Sequence, residues 1–152
     1  MSTLYYFLQS IPEEMGVLAL SFAVARIPLR WKRIVLVGIV LSIITYAIRS
    51  MPLTFGLHLP VSLLLIFLFI VKTTKVSTSK SMMAIFISVF ILAAIEFLVG
   101  LVLTGMMDID TEKAMANEHL WAFIGIGQAV LLNIIAIIMA KFRQPLTDVW
   151  IR

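Results

Sequence analysis

Two carboxylates stand side by side in the run SIPEEMGVLAL, where Glu13 and Glu14 have apolar residues before and after them. A third, Glu96, falls inside another apolar stretch, Arg49 ends a further one, His58 follows it in a short connection, and Gln128 and Asn133 interrupt the last. An ionised group at the bilayer centre costs about 2.5 to 3.5 kcal/mol on insertion scales, whereas a leucine returns only about 0.3 to 0.6. Each such charge cancels several leucines. Charges kept at that cost normally face the bundle interior, pair with one another, and mark a path or a site. Three carboxylates exceed what one guanidinium neutralises, so Glu13, Glu14, Arg49, His58, Glu96, Gln128 and Asn133 are expected to form a ligand- or ion-binding site. The plainer alternative is a buried network that only fixes the helix arrangement. For His58 alone, an ordinary loop histidine is the competing reading.

Other chemistry is absent from the sequence. There is no cysteine, hence no disulfide, zinc-thiolate site or thiol nucleophile. No G-x-x-x-x-G-K-[ST] loop and no H-E-x-x-H pair occurs, and His58 and His119 are too few for most metal centres. Asp108, Asp110 and Asp148 fall in connections or the tail, which excludes an intramembrane aspartyl dyad. The paired glutamates resemble the E-E-x-x-x-R signature of CAAX-type membrane proteases, but Leu18 stands where the arginine belongs and the second-helix histidine motifs are missing. The expectation is a protein without enzymatic activity, metal or cofactor.

The elements that position these residues follow from composition. Of the 152 residues 62% are hydrophobic and only 13% charged, with a mean hydropathy of +1.10, far from the balance of soluble domains. Spans of about 20 residues cross a bilayer, and five segments come near this, at 4–25, 34–49, 60–75, 81–106 and 120–140. The expected fold is all-α, a polytopic bundle of five transmembrane helices in a single domain over residues 1–152. Ten of the twelve basic residues follow the first, third and fifth crossings, leaving only Arg49 and Lys113 on the other side. The positive-inside rule then puts the N-terminus outside and the C-terminus inside. The formal charge of +4 is accounted for by that topology and does not point to nucleic acid. No basic n-region or cleavage site marks a removable leader.

Small and polar residues recur at helical spacing. Gly38, Ser42, Thr45 and Arg49 form one row, Ala93, Glu96, Gly100 and Thr104 a second, and Gly125, Ala129, Asn133, Ala136 and Ala140 a third, while the first crossing contributes Gly16, Ala19 and Ala23. Such rows let helices approach closely where lipid offers little hydrophobic drive. The third crossing, apolar nearly all round, is expected to face lipid most. Pro12 predicts a kink or a fresh helix start that would place Glu13 and Glu14 in a first turn. The connection from Ser50 to Pro60 is expected either to dip inward as a lid or to start the third helix early.

The order SIPEE, then RWKRIVLVGIVLSIITYAIRSMPLTFGLH, then a glutamate within the fourth crossing resembles the N-terminal membrane sensor regions of Firmicutes sensor histidine kinases and related stand-alone membrane proteins. The similarity covers about the first hundred residues. It implies a multi-pass protein of a bacterial cytoplasmic membrane that senses a ligand and passes a helix movement inward. The kinase's dimerisation and ATP-binding parts have no counterpart here, so output is expected through self-association or another membrane protein. Two other functions stay open: a small dimeric proton- or cation-coupled transporter, and an accessory subunit of a larger membrane complex.

Overall fold

Helical hydrogen bonding dominates the computed structural model, which describes residues 3–51, 57–105 and 111–151. Six helices follow one another: α1 (Thr3–Val24), α2 (Trp31–Ser50), α3 (His58–Thr73), α4 (Thr78–Gly105), α5 (Thr111–Ala116) and α6 (Glu118–Phe142). Among the described residues there is no strand, only an isolated bridge between Thr74 and Trp150. The five long helices match the five expected segments in order and nearly in extent. The short α5 was not expected. Asn117 separates it from α6 and caps the latter, its Oδ1 accepting from the backbone amides of His119 and Leu120, each at 3.2 Å.

Three helices, α2, α4 and α6, are long and apolar enough to cross a membrane. They bury only 28%, 22% and 28% of their most apolar windows, and Phe90, Phe97 and Phe123 stand largely exposed. Outward faces that apolar suit lipid as the solvent. α3 is apolar but only 16 residues long. The broadest outward apolar face belongs to α4, with Met82, Met83, Phe86, Phe90, Phe97 and Leu98 exposed, and not to α3, which turns Ser62, Ile66 and Ile70 inward. The apolar run of the segment concealed that inward stripe.

α1 occupies the centre. Every residue from Gly16 to Val24 is buried, so this half of the helix is covered on all sides, by α6 most extensively and by α2 and α4. A helix buried all round is the expected state for one that packs only on protein. Small residues make the approach close enough. A Cβ at Gly16 would sit 2.8 Å from Leu132 Cδ2, and one at Gly38 would sit 2.6 Å from Met15 Cγ. Buried hydroxyls in this core return their hydrogen to the preceding turn, Ser42 to the carbonyl of Gly38 and Ser88 to that of Ala84, both at 2.8 Å.

Two expectations fail on local geometry. α1 runs unbroken through Pro12, so Glu13 and Glu14 lie in mid-helix rather than in a fresh first turn. Asn133 on α6 donates to the Pro12 carbonyl at 2.8 Å, tying α6 to the helix at the proline. The row Ala93, Glu96, Gly100, Thr104 is not a packing seam, since Ala93, Glu96 and Thr104 are exposed and nothing lies within 4 Å of a Cβ at Gly100. The buried stripe of α4 is Ser81, Ala84, Ile85, Ser88, Leu92 and Ile95. α3 begins at His58, two residues ahead of Pro60, which favours the early start over the lid, although residues 52–56 lie outside the described part, as do Asp108 and Asp110.

At the opposite end from Glu13, the C-terminal segment folds back over the bundle. α1 closes with Arg26 in the left-handed region (φ 61°), the amide of Ile27 reaching the Phe22 carbonyl at 2.8 Å, a Schellman closure that usually takes glycine. The left-handed turn costs about 1 kcal/mol for a residue with a Cβ. It is offset by two bonds to the tail: Arg26 Nε donates to the Gln144 carbonyl at 3.1 Å, and the Arg26 carbonyl accepts from Leu146 at 2.9 Å. Trp150 is buried against Phe22, ring centroids 5.4 Å apart, beneath the guanidinium groups of Arg30 and Arg33 at 5.0 and 4.6 Å.

Candidate functional site

A cavity of about 420 Å³ opens between the five long helices near the N-terminal end of α1. Each helix presents one face to it. α1 contributes Tyr6, Gln9, Ser10 and Glu13, spaced by three, one and three, with Glu14 at the edge; α2 contributes Thr45 and Arg49, one turn apart; α3 contributes His58, Leu59 and Ser62. α4 brings Glu96, Val99, Gly100 and Leu103, and α6 brings Trp121, Ile124 and Gln128. Six of the seven residues singled out from the sequence, Glu13, Glu14, Arg49, His58, Glu96 and Gln128, thus share one wall. Asn133 does not line it. Its Nδ2 is committed to the carbonyls of Pro12 and Ala129, both at 2.8 Å, a turn deeper on the seam between α1 and α6.

The polar groups are held by specific partners. Ser62 donates to Glu14 Oε2 at 2.7 Å. Glu13 interacts with the side chain of Gln9 and lies within electrostatic reach of Glu14, Glu96 and Arg49. Arg49 Nη2 sits 2.8 Å from His58 Nε2, and because a guanidinium carries donors only, that nitrogen must accept. His58 is therefore neutral in this arrangement, with its proton on Nδ1. The same guanidinium lies 5.5 Å from the centre of the Tyr6 ring, a cation–π contact. Thr45 spends its hydroxyl hydrogen on the Leu41 carbonyl at 3.0 Å, so Tyr6 donates to Thr45 Oγ1 at 2.8 Å.

Within this cavity three carboxylates face one guanidinium that is shared with a histidine and a tyrosine. Among the described residues the carboxylates do not gather closely enough to grip one metal ion. They are spread around the wall. A volume of this size matches small-molecule sites, which combine an apolar lining with a few placed polar groups, and here Tyr6, Leu59, Val99, Leu103, Trp121 and Ile124 supply the apolar part.

Tyr6, Gln9 and Ser62 were not singled out in the sequence. For the first two the signal was present, since they precede Glu13 by seven and four residues and so share its helix face. Ser62 required the register of α3 against α1, which no spacing within one segment encodes. Gln9 reaches the wall because Gly125 has no side chain: a Cβ there would collide with Gln9 Cδ and Nε2. Gly125→Ala is accordingly expected to displace the Gln9 amide from Glu13 and to cost about 1 kcal/mol in stability. Gln9→Ala in the same chain should recover most of it, as read by equilibrium unfolding in bicelles; an unaffected single variant would contradict the packing described.

No family model, curated protein or solved structure matches the chain.

Proposed function

We propose that this chain is a sensor-type membrane protein, with five crossings, an outside N-terminus and an inside C-terminus in a bacterial cytoplasmic membrane. In this reading it binds a small amine-bearing or otherwise cationic molecule in the cavity and signals through self-association or a partner membrane protein. The observation that carries the reading is the cavity wall itself, to which all five long helices contribute. A ligand touching every helix biases their relative positions, and a ligand acts on a conformational equilibrium only through such differential contacts. The excess of carboxylate over guanidinium sets the preferred charge.

The test is thermal unfolding of the protein in nanodiscs against a panel of small amines, including polyamines and quaternary ammonium ions. A ligand present at a hundred times its Kd stabilises by about 2.7 kcal/mol, and that gain should vanish in Glu13→Gln or Glu14→Gln protein. No stabilisation by any cation would remove the proposal. The same carboxylates favour one other reading, a proton- or cation-coupled transporter. It requires gradient-driven flux in proteoliposomes that is lost in the same variants, whereas a sensor gives binding without flux.

A further inference from the structure

A second groove lies at the basic end of the bundle, on the outward side of the seam between α2 and α3. It holds about 450 Å³ and is lined by Arg33, Leu36, Val37, Phe69, Lys72 and Thr73, with Ile151 of the tail at its edge. Arg33 belongs to the first turns of α2 and Lys72 to the last turn of α3, so both cations stand at one level. Leu36, Val37 and Phe69 continue from that level toward the middle of the helices. Among the described residues the lining includes no carboxylate. Two cations at a helix end with an apolar wall running away from them match the shape of a phospholipid: phosphate at the interface, acyl chain along the helices.

We propose that this groove binds an anionic phospholipid of the surrounding bilayer, its phosphate held by Arg33 and Lys72 and its acyl chain laid along Leu36, Val37 and Phe69. The occupant is a lipid rather than a free anion because the wall below the charges is apolar and faces outward from α2, one of the three helices able to cross the membrane. Arg33 is anchored beside the groove. Its guanidinium lies over the Trp150 ring, 4.6 Å from the ring centre, a cation–π contact that uses none of its N–H donors and so leaves them for phosphate. Trp150 belongs to the tail, and the tail is joined to the end of α3 by Ile151, whose amide donates to the Thr73 carbonyl at 2.9 Å. A lipid in this groove therefore braces α2, α3 and the folded-back tail together. The site is independent of the cavity at the other end.

Native mass spectrometry of the protein in detergent with phosphatidylglycerol and phosphatidylcholine tests the assignment. Phosphatidylglycerol should be retained preferentially, with its affinity reduced about fivefold in Lys72→Gln, the loss expected for one interfacial cation. Arg33→Lys should fall between wild type and Lys72→Gln. Lys80→Gln removes an equal charge from the same end outside the groove and should leave retention unchanged, and a molar excess of inorganic phosphate should not displace the lipid. Equal retention of the two lipids, equal losses in Lys72→Gln and Lys80→Gln, or full displacement by inorganic phosphate would each overturn it. Lys72 is an exposed residue at a helix end, so its substitution leaves the fold intact for the comparison.

Discussion

Phe22→Ala is expected to lower the unfolding free energy by about 2 to 3 kcal/mol. Phe22 is completely buried where α1 meets α3 and the tail, stacked on Phe69 with centroids 6.2 Å apart and edge-on to Trp150 at 5.4 Å. In a water-soluble core such a truncation costs about 3 to 5 kcal/mol, the sum of a transfer term and a cavity term. A bilayer removes much of the transfer term, because the separated helices already sit in hydrocarbon. What remains is the void, about 100 Å³ at about 24 cal/mol per Å³, or about 2.4 kcal/mol. Phe90→Ala supplies the contrast, since Phe90 is 76% exposed on α4 and loses only lipid contact; its change should stay within about 0.5 kcal/mol. Equilibrium unfolding in bicelles reads both. Equal effects at the two positions would mean that α1 is not the centre of the bundle. Loss of Phe22 also removes the surface on which Trp150 rests, so the tail should become more sensitive to limited proteolysis.

The contrast between those two phenylalanines marks what the sequence carried and what it withheld. The extents of the five long helices were legible because apolar runs, prolines and basic clusters bound them, as at Arg26–Arg33 and Lys72–Lys80. Facing was legible where one element mixes small and large residues: Gly38, Ser42 and Thr45 are buried, as are Gly125, Ala129 and Ala136. It failed on α4, where hydrophobic residues surround the helix and no face is chemically distinct, so that only the neighbours decide which side is covered. Position in the bundle was concealed in α1 for the opposite reason. Its glutamates and proline interrupt the apolar run, and it is the helix that the others cover most. The cost of charge in hydrocarbon accounts for this, because the two adjacent carboxylates of α1 are cheaper to hold where other helices surround them, whereas the single Glu96 of α4 meets the cavity. That same cost made the site legible: six of seven residues chosen for their charge or polarity, on five separate helices, line one cavity. Asn133 was misplaced because an amide on a packed face serves a backbone carbonyl as readily as a ligand. The tail could not be foreseen at all, since Trp150 meets Phe22 and Gln144 meets Arg26 through contacts more than a hundred residues apart.

Arg49→Gln should be the most costly single change at the cavity, about 2 to 3 kcal/mol. Among the described residues Arg49 is the sole guanidinium on a wall that holds Glu13, Glu14 and Glu96, and it also donates to His58 and covers Tyr6. Removing one member of a fully buried charge set costs about 3 to 5 kcal/mol, because the opposite charges are left uncompensated. Here Arg49 and Glu96 are exposed and Glu13 and Glu14 only partly buried, and solvent screening lowers that figure. Arg49→Lys keeps the charge but loses the planar fork that serves His58 and the stacking on Tyr6, so it should recover only part of the loss. The decisive comparison is the double variant. If Arg49 acts by opposing the carboxylates, then Arg49→Gln with Glu13→Gln will be more stable than Arg49→Gln alone, by at least about 1 kcal/mol in a double-mutant cycle. Additive losses would instead mean that Arg49 acts through His58 and Tyr6 alone, and that the carboxylates do not depend on it. The sign of that coupling also bears on ligand choice. A site whose carboxylates repel one another when Arg49 is absent is one that an external cation relieves, and small amines should then stabilise Arg49→Gln protein by more than they stabilise the parent chain.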